Sequence, residues 1–216
     1  MSELKKAAAE AACNMVTDEA AYLGIGSGST VAFFIEALKN KRQMIEGCVA
    51  SSLETEAQLK AAGLPVISLA AAPRLSLYID GADEVNQHHL MIKGGGGALT
   101  REKIIASVAE RFVCIVDESK VVNRLGTFPV AVEVLPIARS LVAREVVRLG
   151  GDPVYREDFI TDNGNQILDV YHLNLNEPIA MEEKLKLLPG VVETGIFAKR
   201  TADTVLVASA SGVQKL

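Results

Sequence analysis

The chain has 216 residues, 49% of them hydrophobic and 23% charged, with a formal net charge of −5. That is enough apolar material for a substantial core, in one large domain or two small ones. No apolar run approaches the roughly 20 residues that span a bilayer, which excludes a membrane-spanning helix, and an acidic balance without a Lys/Arg cluster argues against nucleic acid as the main partner. Met1 to Glu10 reads as an amphipathic start carrying Lys and Glu rather than a signal peptide, so a cytoplasmic protein acting on small molecules is expected. The three cysteines, Cys13, Cys48 and Cys114, are odd in number, lack C-x-x-C spacing and sit in apolar stretches. They read as buried free thiols rather than a metal site or a disulfide.

Leu4, Ala7, Ala8, Ala11 and Met15 are spaced for an opening amphipathic helix, with Lys5 and Lys6 as solvated charge or within reach of an anion. Ala20 to Leu23 is a short apolar strand that runs into G-I-G-S-G-S-T, Gly24 to Thr30, before Val31, Phe34, Ile35 and Leu38 resume helical spacing. A strand, a glycine loop and a helix start form an anion site, because free N–H groups and the positive helix end face the loop. A Walker loop would need a lysine after Gly28, where Ser29 and Thr30 stand. A dinucleotide fingerprint would need a third glycine at Ser29 and an acid after the next strand, where Gly47 to Ala50 leads instead to Ser51 and Ser52. The hydroxyls of Ser27, Ser29 and Thr30 suit a single phosphate, with N-capping the alternative for one of them. Glu54 to Ala62 reads as a helix closed by Gly63, and Pro65 to Leu69 as another strand.

The segment from Tyr78 to Lys103 carries the densest chemistry. Two apolar runs, Leu75 to Ile79 and Leu90 to Ile92, end respectively in Asp80-Gly81-Ala82-Asp83-Glu84 and in Lys93 followed by Gly94 to Gly97. The glycines permit positive φ and close backbone approach to a ligand, and they lead straight into a helix. On that helix Ala98, Ile105, Ala109 and Phe112 share a face, and Glu102 occupies the same face where a core residue is expected. A carboxylate in such a slot is a functional candidate, with an end-of-helix pairing to Arg101 or Lys103 as the alternative. Phe112 to Val116 is a β-rich run ending in Asp117-Glu118-Ser119-Lys120. Alternating strands and helices imply a mostly parallel sheet, and ligands bind such sheets at the carboxyl ends of strands.

From Pro129 the pattern changes. Val130 to Leu135 reads as a strand, Pro136 to Leu149 as a helix, and Pro153 to Glu157 and Gln166 to His172 as strands of a hairpin turning at Asp162-Asn163-Gly164. Pro178 to Leu188 is a helix and Val191 to Phe197 a strand, which completes a split β-α-β pattern. Thr204 to Ala208 is free to return to the first sheet. The expected fold is therefore α/β: residues 1–124 form a Rossmann-like, mostly parallel sheet domain that regains 201–216, and residues 125–200 form a smaller ferredoxin-like α+β domain. His88, His89 and His172 lack ligand spacing and read as surface residues, so no metal is expected.

A phosphorylated substrate held by the Ser27 to Thr30 turn would leave its other end among Asp80, Asp83, Lys93, Lys120 and Glu102, where proton transfer is the natural chemistry. The stretches G-I-G-S-G-S-T, Y-I-D-G-A-D-E, I-K-G-G-G-G-A-L-T-R-E-K and I-T-D-N-G-N closely resemble the ribose-5-phosphate isomerase A family, over nearly the whole chain. The resemblance implies a metal-independent aldose–ketose isomerase without cofactor, interconverting ribose 5-phosphate and ribulose 5-phosphate in the non-oxidative pentose phosphate pathway, as a homodimer or homotetramer. It implies Glu102 as the proton acceptor working through a cis-enediol, and Asp80, Gly81, Ala82 and Asp83 as the acid loop that helps ring opening and grips the sugar hydroxyls. Lys93, Gly94, Gly95 and Gly96 would be the loop that stabilises the enediolate oxygen, Ser27, Gly28, Ser29 and Thr30 the phosphate turn, and Lys120 a further substrate lysine. Ser27 stands where the family pattern expects threonine, Tyr22 interrupts an aliphatic strand and Gly97 replaces a frequent alanine, departures that bear on affinity more than on reaction type. Two other readings are a sugar-phosphate sensor domain, which would carry a DNA-binding helix pair before its first strand, and a coenzyme A transferase, which would need a covalent carboxylate in a different glycine context.

Overall fold

Residues 2–17 and 21–216 are described by the computed structural model. They fall into two units: Met1–Ala82 with Arg101–Val121 and Ala202–Leu216, and Asp83–Thr100 with Val122–Thr201. Residues 83–100, grouped with the first domain on sequence grounds, thus cluster with the second unit.

In chain order the elements are α1 (Ser2–Cys13), β1 (Tyr22–Ile25), α2 (Ser29–Leu38), β2 (Gly47–Ala50), α3 (Leu53–Ala61), β3 (Leu75–Asp80), β4 (Glu84–Val85), β5 (Met91–Ile92), α4 (Leu99–Val108), β6 (Ala109–Asp117), β7 (Val130–Val134), α5 (Arg139–Arg148), β8 (Asp152–Tyr155), β9 (Gln166–Tyr171), α6 (Pro178–Lys186), β10 (Val191–Thr194), β11 (Ile196–Phe197), β12 (Thr204–Ser209) and β13 (Gly212–Lys215). Among the described residues no helix is long and apolar enough to cross a membrane.

The first unit is a six-stranded sheet in the order β13-β12-β6-β3-β1-β2, parallel except for the β12–β13 hairpin at its edge. Its central strands are near-continuous apolar runs because both faces are covered. On one face Leu23, Ile25, Leu77, Ile79, Val113 and Ile115 pack with Ala8 and Ala12 of α1 and Phe34 and Leu38 of α2. All three cysteines are free and buried. Parallel pairing brings the carboxyl ends of β1, β2, β3 and β6 to one edge, so the segments that follow, from Gly26, Ser51, Gly81 and Glu118, lie along it.

The second unit contains a four-stranded antiparallel sheet in the order β10-β7-β9-β8, in which the first and last strands of the β-α-β-β-α-β series are neighbours, the ferredoxin-like arrangement. Val142 and Val146 of α5 and Met181 and Leu185 of α6 bury against Val130, Val132, Val134, Leu168 and Val170. A separate three-stranded sheet orders β11-β5-β4.

Several expected boundaries move. β1 extends through Gly24 and Ile25, two residues into the glycine stretch, and Ala20 lies outside the described residues. Helix α4 ends at Val108, so Ala109 and Phe112 belong to β6, where pairing with β3 overrides the helical spacing. Pro65 to Leu69 makes one bridge, Val66 to Cys48, and then a 3-10 turn rather than a strand. Met15 falls past the end of α1. The run from Val191 to Phe197 divides at Gly195, whose N–H donates to the Ala131 carbonyl at 2.7 Å and whose carbonyl accepts from the Lys93 N–H at 2.9 Å, so one residue joins two sheets.

Candidate active site

In the first unit, β3 ends on Asp80, a carboxylate with no exposed surface. Its Oδ1 accepts from the Ser27 N–H at 3.0 Å and the Gly81 N–H at 2.7 Å, and the buried Tyr78 hydroxyl donates to Oδ2. Burial, then the nearby Asp80 and Glu102 charges, hold the Tyr78 phenol well above its ordinary pKa, so it remains a donor. The turn after β1 lies flat against this carboxylate: a Cβ at Gly26 would stand 2.0 Å from Asp80 Cγ. Thr55, in the first turn of α3, donates to the Gly26 carbonyl at 2.7 Å and is itself held by the helix-capping Ser52.

Gly28, at φ 87°, turns the chain into α2, and no side chain caps that helix. The capping alternative for the Ser and Thr hydroxyls therefore falls away. The first turn of α2 carries no acidic residue, so its N–H groups and positive end meet no built-in counter-charge there. Lys5, on α1, donates from Nζ to Ser29 Oγ at 2.9 Å, which brings an ammonium to the same helix start.

Glu102 lies on α4 and is 3% exposed. The Ser27 hydroxyl donates to its Oε1 at 2.6 Å. Ser27 is thus a hinge between two carboxylates, its N–H on Asp80 and its Oγ on Glu102. The structure joins Ser27, Asp80 and Glu102 in one network, with Ser29 and Lys5 beside it. Lys120, half-buried, ends the 3-10 turn Glu118–Lys120 after β6, a turn capped by Asp117, which accepts the Ser119 N–H at 3.0 Å.

In the second unit, Asp83 Oδ2 accepts from the Gly95 N–H at 2.8 Å, and the Asp83 N–H donates to the Ile92 carbonyl. Lys93 follows β5; it is 3% exposed, with its ammonium 5.5 Å from the Phe197 ring centroid. Gly94, at φ 109°, begins a turn closed by the Gly97 N–H on the Gly94 carbonyl, and Gly95 and Gly96 are exposed.

Sequence reasoning missed two anchors of this unit. Arg156 donates to the Gly94 and Gly95 carbonyls, each at 3.2 Å, while held by both oxygens of Asp169. Glu133, with no exposed surface, accepts from Thr161 Oγ1 at 2.8 Å, Asn165 Nδ2 at 2.8 Å, Asn163 Nδ2 at 3.1 Å and the Thr100 hydroxyl. That explains the I-T-D-N-G-N turn: its side chains solvate one buried carboxylate, which also holds the head of α4. A Glu inside the apolar strand V-A-V-E-V was the available signal. Among the described residues no group of three or more His, Cys, Asp or Glu is placed to hold a metal ion.

The sequence profile of the family described as ribose 5-phosphate isomerase A (phosphoriboisomerase A) matches residues 47–212. Ribose-5-phosphate isomerase A of Legionella pneumophila (strain Lens) is 64% identical over 216 residues, all of both chains. The crystal structure of ribose 5 phosphate isomerase A from Neisseria gonorrhoeae superposes with a TM-score of 0.96 at 47% identity, covering 100% of this chain and 96% of that one. A D-ribose-5-phosphate isomerase solved in complex with phospho-erythronic acid gives 0.93 at 38% identity, covering 99% and 97%. By profile, by full-length identity and by fold, the chain belongs to the ribose 5-phosphate isomerase A family.

Proposed function

We propose that this protein interconverts ribose 5-phosphate and ribulose 5-phosphate, in the pentose phosphate pathway, by moving one proton between C2 and C1 of the open-chain sugar. Family membership and 64% identity to a relative of that name support the reaction. The 2.6 Å bond from Ser27 to Glu102 carries the mechanism, because it ties the general base to the turn that suits the phosphate.

Glu102 takes the proton from C2, and the electron pair passes into the C1 carbonyl to give a cis-enediolate. O1 gains a proton, O2 loses one, and Glu102 returns its proton to C1. Ser27 to Thr30, the start of α2 and the Lys5 ammonium hold the phosphate, so that binding energy remote from the reacting carbons positions C2 on Glu102. Asp80 sets the Ser27 and Gly81 turns, and Gly81, Ala82 and Asp83 grip the sugar hydroxyls and assist ring opening. Lys93 supplies positive charge to the developing oxyanion, the Gly94 to Gly96 loop, its Gly95 N–H held by Asp83, offers it the Gly96 N–H, and Lys120 adds a further contact. The protein acts in the cytoplasm as a homo-oligomer, a dimer or a tetramer.

Glu102→Gln tests this directly. Its kcat is expected to fall by roughly 10² to 10⁴, the usual worth of a general base, while phospho-erythronic acid, the ligand of a 38% identical relative, still binds. Near-normal turnover would remove Glu102 from the reaction. Prolonged chelation is expected to leave the rate unchanged, and strict dependence on added metal would overturn the route.

A further inference from the structure

A run of four glycines has soft peptide orientations, because nothing at Cβ restricts them. Arg156 removes that softness at two consecutive peptides. Its Nη2 donates to the Gly94 carbonyl and its Nη1 to the Gly95 carbonyl, both at 3.2 Å. The guanidinium is itself fixed: Nε meets Asp169 Oδ2 at 2.8 Å, Nη2 meets Oδ1 at 2.5 Å, and the Phe159 ring centroid lies 5.3 Å from Cζ. The ion pair is largely out of water, with side-chain exposures of 18% and 16%.

A trans peptide carries its N–H opposite its carbonyl. Holding the Gly94 carbonyl therefore aims the Gly95 N–H, which lands on Asp83 Oδ2 at 2.8 Å. Holding the Gly95 carbonyl likewise aims the Gly96 N–H away from Arg156, at an exposed residue whose Cα has no neighbour within 4 Å of a built Cβ. The fork geometry of arginine allows two adjacent carbonyls and a carboxylate to be met at once, which a lysine point charge does not.

We propose that Arg156, oriented by Asp169, is a positioning residue for the isomerisation: it locks the Gly94–Gly95 peptide onto Asp83 and presets the next peptide, so that the Gly96 N–H is already aimed when the enediolate oxygen forms. This rests on the reading that the Lys93 to Gly96 loop engages the substrate. Because the oxyanion exists only at and near the transition state, preset dipoles act on kcat more than on KM.

The experiment compares Arg156→Met, Arg156→Lys and Asp169→Asn with Lys93→Ala as the control for the loop itself. Arg156→Met is expected to lower kcat about 10- to 100-fold, below the 10² to 10³ of losing an oxyanion donor outright, with KM within about threefold. Arg156→Lys is expected to rescue little, and Asp169→Asn to cost less than Arg156→Met, with the double variant no worse than Arg156→Met alone. A structural role would not move affinity for an enediolate mimic in step with kcat, so the dissociation constant of phospho-erythronic acid is measured for each variant and is expected to track kcat, while that of ribulose 5-phosphate does not. Full kcat in Arg156→Met or Asp169→Asn, or lowered kcat with unaltered phospho-erythronic acid affinity, overturns the positioning role. If Lys93→Ala too keeps full turnover and affinity, the assignment of the loop to the substrate has failed; if Lys93→Ala is inactive while Arg156→Met is not, only the role of Arg156 has failed.

Discussion

In the turn after β1, Gly26 rests on Asp80, Gly28 bends the chain at φ 87° and the amides that follow belong to the first turn of α2. In the loop after β5, Gly94 bends the chain at φ 109°, and the peptides that follow are clamped by side chains, Asp83 on one N–H and Arg156 on two carbonyls. The two are alike in composition and different in what aims their dipoles: a helix in one, an ion-paired guanidinium in the other. A helix start offers standing donors to an anion that keeps its charge throughout the reaction, as a phosphate does. Individually clamped peptides suit a charge that appears and vanishes. On the proposed function the first turn should act mainly on binding and the second mainly on the chemical step.

The largest expected effect strikes the first turn. Gly26→Ala puts a Cβ 2.0 Å from Asp80 Cγ, so either the turn or the carboxylate must move, and Ser27 moves with them. Displacement of a base by about 1 Å costs on the order of 10²-fold, so kcat/KM should fall at least that far, with a stability loss of about 1–3 kcal/mol seen by thermal unfolding. Wild-type turnover would mean that the Ser27 and Asp80 contacts do not hold the base. Lys5→Ala is next: losing one charged hydrogen bond to the helix start should lower kcat/KM about 10- to 100-fold, with the larger share in KM. A loss carried by kcat alone would erase the distinction between the two turns. Gly96→Ala sharpens it further, because nothing stands within 4 Å of the added methyl and the residue has no positive φ. Stability should stay within about 0.5 kcal/mol, so that any fall in turnover, expected at about tenfold, reports substrate lying against the loop.

The first turn was legible because its meaning is local. Strand, glycines, hydroxyls and helix follow one another within about ten residues, and each contributes a property readable from its type. Glu102 was legible for a related reason, a carboxylate in an apolar slot, even though the helical face was drawn four residues too long and included Ala109 and Phe112, which pair with β3. Arg156 was not legible: its role is written in contacts with Asp169 and with the carbonyls of Gly94 and Gly95, and carbonyls leave no mark in a sequence. Glu133 carried the signal that marked Glu102, a carboxylate among apolar neighbours, but what it does depends on four donors from Thr100 and a distant hairpin turn, which its own strand does not reveal. Pro65 to Leu69 has a strand's composition but meets β2 at the sheet edge through a single bridge, and Gly195 splits the run V-V-E-T-G-I-F because its two halves serve different sheets.

The smallest effect separates the two units rather than the two turns. All three cysteines and Tyr78 lie in the first unit. Burial pushes the Cys48 thiol up to about 12, against a partial lowering by Arg42, and burial likewise raises Cys13 and Tyr78. Each raised pKa means that the folded state keeps a proton the unfolded chain releases. The stabilisation is whole below the unfolded value, 9.0 for a thiol, and is lost as pH climbs toward 12. At pH 10, one unit into that window, Cys48 alone accounts for a loss on the order of 1 kcal/mol. The second unit has no buried thiol; its raised group, Lys199, is surface-exposed, held by Glu183, and titrates above 10.5. Pulse proteolysis with peptide mapping at pH 8 and pH 10 should therefore show cleavage rising first in β1, β2 and β3, with Cys48 becoming alkylatable in step, while β7 and β9 hold. Earlier cleavage in β7 and β9 would show that alkaline stability is set by something other than protonated groups in the first core.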